Sequence, residues 1–544
     1  MRVSYQNANP RSGHESYYIK FENRASTTTN CVLIDSGENV DVESDLGENE
    51  YLSAVLLTHA HADHYQTISD NVKDGAKVLM TPATASVLEN VLSEASKRAE
   101  TEDIDWKKIE DSVEPVTDWY SITADVEVRP VPAGHIPGAC GYLIRFDGDK
   151  HILATGDFTF DRAAGYPQLP KEELEELGVD VLFLNASASE PGELTQSVEK
   201  VMEQAVSGGH VLVSASGMTC VKYVYILGHL IEEQGLGLRV SIAGQAAKIY
   251  EDLGYDVPNV SSYPVYESTD EVLKSDISVA GPEKPTEGSS EKLFEEIKDD
   301  GSATLVRVLG ASTRAKESAG CTVNDYETVN HPTQEKLYNF VEELNPVHTV
   351  IQHGNTERWD GERFRFTMTW SDNKTEHRVL YSDGDWRPPG WLDEGTLERI
   401  LKNNRSRGKP DISSVMSGDG IEEMLEPDFP KIEPQNDEVK LNEEGILIDE
   451  IRDREFVSTS EPVKDTEKAE ESTEDESVSE EGEKDLHEIR ETLERIEEKV
   501  DAETHEAVVV DTGGGDLLLR LEGKDIDDLS LEHGESVEVS VFER

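Results

Sequence analysis

Short apolar runs closed by turn residues recur along the first four hundred positions, and they read as buried strands. Ser16 to Lys20, Thr29 to Asp35, Ala54 to Leu57 and Lys77 to Met80 come first, the second ending in a turn at Asp35-Ser36-Gly37. Between Ala83 and Glu100 the period lengthens: Val87, Val91, Leu92 and Ala95 fall on one face of a predicted helix. Val126 to Val131 is the next strand. Gly141 to Phe146 and His151 to Thr155 form a hairpin around Asp147-Gly148-Asp149. Val179 to Leu184 follows. Residues 190–310 then read as a second α/β unit. Its helices are Glu193 to Val206 and Thr219 to Glu233, and its strands are Gly209 to Val213, Arg239 to Ile242, Ile277 to Val279 and Thr304 to Leu309. A last helix, Thr333 to Leu344, and a last strand, Val347 to Gln352, return to the first pattern. The fold class is α/β.

From about residue 405 the pattern dissolves. Residues 405–482 are rich in Asp, Glu, Ser, Lys and Pro and poor in aromatics, the composition of a disordered acidic linker. Residues 483–544 read as a short helix and a small β unit. In the helix, Leu486, Ile489, Leu493, Ile496 and Val500 make a heptad stripe that offers a homodimer contact.

Composition changes the picture in one respect. Asp and Glu number 114 against 51 Lys and Arg, a net charge of −63 over 544 residues. Self-repulsion of that size works against a compact state in dilute buffer. At molar salt the Debye length is about 3 Å and the repulsion is screened. The chain is therefore expected in the salt-saturated cytoplasm of a halophilic archaeon. Cys31, Cys140, Cys220 and Cys321 form no CxxC pair and read as small buried residues in a reducing compartment. The first twenty residues lack a signal-peptide pattern, and no apolar run has the length of a membrane span, so a soluble cytoplasmic protein is expected.

The candidate chemistry lies in Thr58-His59-Ala60-His61-Ala62-Asp63-His64, directly after a buried strand. His59 and His61 alternate along extended chain, so their rings point the same way. Asp63 and His64 follow half a turn later. Imidazole and carboxylate donors suit zinc and similar divalent ions, and the spacing suggests two of them. Downstream, His135 sits in the Gly-rich turn Gly134 to Gly138 at a strand end. Asp157 follows Gly156 at another strand end, where a carboxylate can bridge two cations. Asp35 is placed to orient the site from behind.

The series His59-x-His61-x-Asp63-His64, His135, Asp157 resembles the metallo-β-lactamase superfamily. The α/β unit between Asp157 and His331 resembles the insertion of its β-CASP branch. That branch holds nucleases, among them the endonuclease of mRNA cleavage and polyadenylation, its archaeal mRNA 3′-end processing counterparts, ribonuclease J and DNA-processing enzymes. The resemblance implies an αββα sandwich built from residues 1–189 and 311–404, with the β-CASP domain at 190–310. It implies two zinc ions: one on His59, His61 and His135, one on Asp63, His64 and His331, with Asp157 bridging. His331 is carried over from Asn330-His331-Pro332-Thr333, which matches a segment of the branch that precedes a helix, a strand and a His-Gly pair, here His353-Gly354.

The implied activity is hydrolysis of a phosphodiester by zinc-activated hydroxide, with Asp63 and Asp157 at the catalytic centre and single-stranded nucleic acid, RNA before DNA, as partner. Two positions depart from the pattern. Asn185 stands where the branch carries an acidic residue. The further His that RNA-processing members place before the last ligand has no counterpart between His229 and His331. Asn185, Arg314, Lys316 and His353 are candidates for phosphate contact or for support of the ligands. The alternatives are a DNA-processing exonuclease of the same branch and a weakly active or inactive subunit that partners an active paralogue.

Overall fold

The computed structural model describes residues 1–10, 13–24, 26–73, 75–95, 105–189, 192–310, 319–328, 331–354, 366–371, 377–390, 392–406, 427–434, 439–452, 506–511 and 517–522. The chain divides into two units, Met1–Ser460 and Glu461–Arg544.

In the first unit the opening strands are β1 (Arg2–Asn7), β2 (Tyr17–Glu22), β3 (Thr29–Ile34), β4 (Glu50–Leu56), β5 (Lys77–Met80) and β6 (Val113–Pro115). Next come β7 (Tyr120–Thr123), β8 (Val126–Pro132), β9 (Cys140–Phe146), β10 (Lys150–Ala154) and β11 (Val181–Asn185). The inserted strands are β12 (Val211–Ser214), β13 (Val240–Ala243), β14 (Val260–Tyr263), β15 (Ile277–Ala280), β16 (Thr304–Leu309) and β17 (Thr322–Glu327). The chain returns through β18 (His348–Gln352), β19 (Met368–Trp370), β20 (Arg378–Ser382) and β21 (Asp385–Trp386).

Among the described residues the first unit holds three sheets. They are ordered β21-β20-β1-β2-β3-β4-β5-β6, β19-β18-β11-β10-β9-β8-β7 and β14-β13-β15-β12-β16-β17. Alternation along the strands explains how the first two stack. In β4, Ala54 and Leu56 point into a core shared with Tyr142, Ile144 and Phe183 of the second sheet. Val55 points the other way, into a core with Val87, Leu88 and Leu92 of helix Pro82–Ala95. The second sheet does the same: Leu143, Leu153 and Leu182 turn outward to the core that contains Phe340 of helix Gln334–Leu344. Each sheet buries one face on the other and one under helices, giving an αββα sandwich.

The insertion is an all-parallel sheet whose strands are linked by helices Gly217–Gln234, Gln245–Asp252 and Gly288–Ile297. Its sheet runs past the expected break at residue 310. β17 pairs with β16 in parallel, and its sequence TVNDYE alternates too weakly to stand out as a strand.

The expected linker also needs correction. Within 405–482, Phe429, Leu441, Ile446, Ile448 and Ile451 are buried. This late segment crosses from the sandwich to the insertion. The Ala164 and Gly165 amides donate to the Glu444 carboxylate at 2.8 and 2.7 Å, and Arg162 Nε lies 2.8 Å from Glu443 Oε2. Thr195 Oγ1 accepts from the Leu447 amide at 3.0 Å, and Arg452 pairs with Glu233. A buried strap held by backbone amides has the acidic composition of a linker, which is why composition misread it.

All four cysteines are buried and free. No helix of the described residues is long and apolar enough to cross a membrane. Of the second unit, the described residues form one antiparallel pair, Glu506–Asp511 with Leu517–Glu522. The heptad stripe at 486–500 lies outside the described residues.

Candidate metal centre

β3, β4, β8, β10, β11 and β18 all deliver their carboxyl ends to one rim of the sandwich, the usual place for a site in such sheets. Asp35 follows β3, His59 follows β4, His135 follows β8, Asp157 follows β10 and His353 follows β18. Several of these turns are tight. Asp35, His135 and His353 have φ of 53°, 56° and 35°, in the left-handed region that side chains seldom occupy. Gly134, at φ 64°, packs so closely on the Asp161 carbonyl that a Cβ there would collide with it.

The side chains converge in two groups. Donor atoms of His59, His61, His135 and Asp157 lie within 4.8 Å of one another, and so do those of Asp63, His64 and His353. Asp157 Oδ2 stands between the groups, 3.9 Å from His59 Nε2, 3.8 Å from His135 Nε2 and 3.5 Å from His64 Nε2. His59 Nε2 and His135 Nε2 both aim at His61 Nδ1, at 3.0 and 3.1 Å. His64 Nε2 is buried with no hydrogen-bond partner. Two ring nitrogens directed at one, and a third left orphaned, are poorly served by protons. A divalent cation in each group would satisfy them, and the donors, all nitrogen and oxygen, suit one.

Supporting contacts fix the rings. Asp35 accepts from the Thr58 amide at 2.8 Å and the Thr58 hydroxyl at 2.9 Å, and its Oδ2 lies 2.7 Å from His64 Nδ1. That arrangement turns His64 Nε2 toward Asp157 and sets the tautomer. Tyr142 ties β4 to β5 by donating to the Leu57 and Leu79 carbonyls. Burial and the neighbouring rings of His64, His61 and His135 push His59 well below the ordinary imidazole range. Burial alone would raise Asp157, but His353 and His331 overcome it and hold the carboxyl well below its usual range.

The two late histidines exchange the places that the resemblance implied. His353 stands with Asp63 and His64, with Nε2 at 3.9 Å from Asp63 Oδ2 and Nδ1 at 3.1 Å from Asp157 Oδ1. His331 stands on the other side, its ring 4.9 Å from that of His135, and lines the open cleft. The reason is topological: β18 lies in the second sheet beside β11, so its end meets the ligands directly. His331 precedes a helix instead and reaches the centre from the insertion side. Asn185 is also reassigned. It is buried and donates to Asp157 Oδ1 at 3.1 Å, a contact with the carboxylate from behind. Arg314 and Lys316 lie outside the described residues.

One buried group at this centre left no trace in the sequence pattern. Glu15, on the β1–β2 loop, is 1% exposed, and burial pushes its carboxyl up to about 7 against the pull of His64 and His353.

This rim of His and Asp on an αββα sandwich, with an α/β unit inserted before the last donors, defines the class. The matches that follow support the metallo-β-lactamase superfamily, in its β-CASP branch. Residues 31–218 match the beta-lactamase superfamily domain. Among curated proteins, the DNA cross-link repair 1A protein of Mus musculus is 27% identical over 222 residues, 40% of this chain and 19% of that protein. The protein of the same name from Gallus gallus is 27% identical over 176 residues, 32% of this chain and 16% of its own length. The chain thus spans less than a fifth of either relative. A crystal structure of a protein of unknown function from Enterococcus faecalis V583 matches with a TM-score of 0.50 at 14% identity. It covers 70% of this chain and 100% of the other, a likeness of fold.

Proposed function

We propose that the protein is a two-zinc nuclease that hydrolyses single-stranded RNA. The observation that carries the reading is Asp157 Oδ2, standing between two groups of donors, with His61 and His135 of the first lining a cleft that the insertion also lines. His59, His61 and His135 would hold one cation, and Asp63, His64 and His353 the other. Bound zinc supplies charge stabilisation for the phosphoryl oxygens and lowers the pKa of water, so that hydroxide is available near neutral pH. Asp35, Thr58 and Asn185 keep the ligand atoms on target.

The cleft is a cavity of about 510 Å³. His61 and His135 line it from the sandwich, Ser216, Thr219 and Glu283 from the insertion, and His331 from the segment that leaves the insertion. His331 would then lie beside the scissile phosphate and offer a ring nitrogen to it or to the leaving oxygen. This favours RNA, because RNA-processing members of the branch have a His between the insertion and the last ligand, and His331 precedes His353 in that way. With a counterpart for that His in place, the reading of an inactive subunit loses half its motive. The replacement of the acid by Asn185 remains. The two relatives named for DNA cross-link repair favour a second reading, a DNA exonuclease. The charge of −63 supports a working environment of molar salt in a cytoplasm.

The test is incubation of the full chain in molar KCl with end-labelled single-stranded RNA and DNA, with and without a chelator, beside Asp157→Ala. RNA should be cut, and both the chelator and the substitution should abolish cutting. Cleavage of DNA alone transfers the assignment to the second reading. If neither polymer is cut, the nuclease reading fails.

A further inference from the structure

Glu15 is a fully buried carboxylate that the reading above leaves without a task. It comes from the loop between β1 and β2, which is knitted to the centre on both sides. Ser16 Oγ accepts from the Gly37 amide at 2.9 Å, in the turn that carries Asp35. The His14 carbonyl accepts from the His353 amide at 2.9 Å, in the turn that carries a donor of the second group. Between these anchors the Glu15 carboxylate enters a cradle of two glycines. A Cβ on Gly13 would collide with Oε2, and a Cβ on Gly37 with Oε1 and with the Asp63 carbonyl. The carboxylate and the Asp63 backbone therefore pack side by side on Gly37.

Asn9 donates to Oε1 and accepts from the Ser16 amide, which fixes the carboxylate's orientation. Oε2 is buried without a hydrogen-bond partner. A loop that merely had to close β1 onto β2 would not bury a half-satisfied carboxylate, which is costly where no positive charge stands near. The charge that would repay it is the cation of the second group.

Resting on the two-cation reading, we propose that Glu15 is a positioning residue of the second cation site, a carboxylate behind Asp63, His64 and His353 that holds their turns in place and tightens binding of that cation alone. The first group meets the loop's anchors only indirectly, through Asp157 beside His353 and through Thr58 beside Asp35, so its cation should respond far less to Glu15 than the second.

The experiment uses the full chain, stripped by dialysis against chelator and titrated with cobalt(II) in molar KCl. Visible absorption and equilibrium dialysis give the stoichiometry and affinity of each step. Wild type should bind two cations in resolved steps. Glu15→Gln should leave the first step unchanged and weaken the second by about 10–100-fold, the usual effect of removing a carboxylate behind a ligand. Glu15→Asp, which keeps the charge, should recover most of that loss. Asn9→Ser, which releases the carboxylate without removing it, gives a second handle and should weaken the second step only.

An unchanged second step in Glu15→Gln overturns the inference. So does equal weakening of both steps with no recovery in Glu15→Asp, since that marks a packing role. A wild type that binds two cations yet cuts no nucleic acid removes the nuclease reading and leaves this one standing. A wild type that binds one cation removes the two-cation reading and this inference together.

Discussion

The exchange of His331 and His353 makes opposite predictions for two single substitutions. His331→Ala leaves every donor of the two groups in place, because His331 belongs to neither. Its Nε2 is 3.9 Å from Asp157 Oδ2, and its side chain is 19% exposed at the cleft. Zinc content should therefore stay at the wild-type level. A ring that assists a phosphate or leaving oxygen by proton transfer contributes about 10²–10⁴ in rate, or roughly 3–5 kcal/mol of transition-state stabilisation. Turnover should fall by that factor with little change in KM. His353→Ala removes one of three donors from the second group, so zinc content should fall toward one ion per chain and activity with it. The assay pairs elemental analysis of each purified variant with single-turnover cleavage of end-labelled RNA. Loss of zinc in His331→Ala, with zinc retained in His353→Ala, would refute the assignment drawn from the ring positions.

Two further outcomes concern stability. His348 is fully buried, its ring bonded to the Leu380 carbonyl and to Trp370, and burial lowers it to about 3. The unfolded chain takes up a proton here below about pH 6.5 and the folded chain does not, so this contribution to stability is complete above that pH and is lost as pH falls toward 3. At pH 5 the loss should be about 2 kcal/mol; urea titrations in molar KCl at pH 7.5 and 5, comparing wild type with His348→Gln, check it, and an equal acid loss in both proteins would rule it out. Glu444→Ala removes the acceptor for two backbone amides and leaves Lys222 and Arg162 buried beside it, so it should cost about 3–5 kcal/mol in the same titration; a change under about 1 kcal/mol would show that the strap is only loosely attached.

Much of the centre could be read from the chain because its donors follow strands. An apolar run ending in a His-rich turn, as at Leu57 to His64, announces both the strand and the rim where its end emerges. His135 and Asp157 carry the same signal, a strand followed by glycine. His331 and His353 are harder, since each stands near the end of a predicted element, and only the pairing of β18 with β11 decides which one reaches the ligands. Glu15 carries no local signal, because what matters about it is the distant Gly37 on which it rests. The strap fails for a related reason. Its buried positions, Leu441, Ile446, Ile448 and Ile451, are set among carboxylates that are satisfied by tertiary amides and cations, which a window of sequence does not contain.

The insertion has a consequence for how the protein is made. His59 and His353 are separated by about 300 residues, and the β-CASP unit must be synthesised between them. At ~5–20 residues per second, the first histidines leave the ribosome roughly 15–60 s before the last donor is available. During that interval the first group can be complete while the second lacks a member. Cation loading is then ordered in time by the gene's own layout. Any activity that needs both cations would therefore wait on a nascent chain until the inserted unit that lines the cleft has emerged.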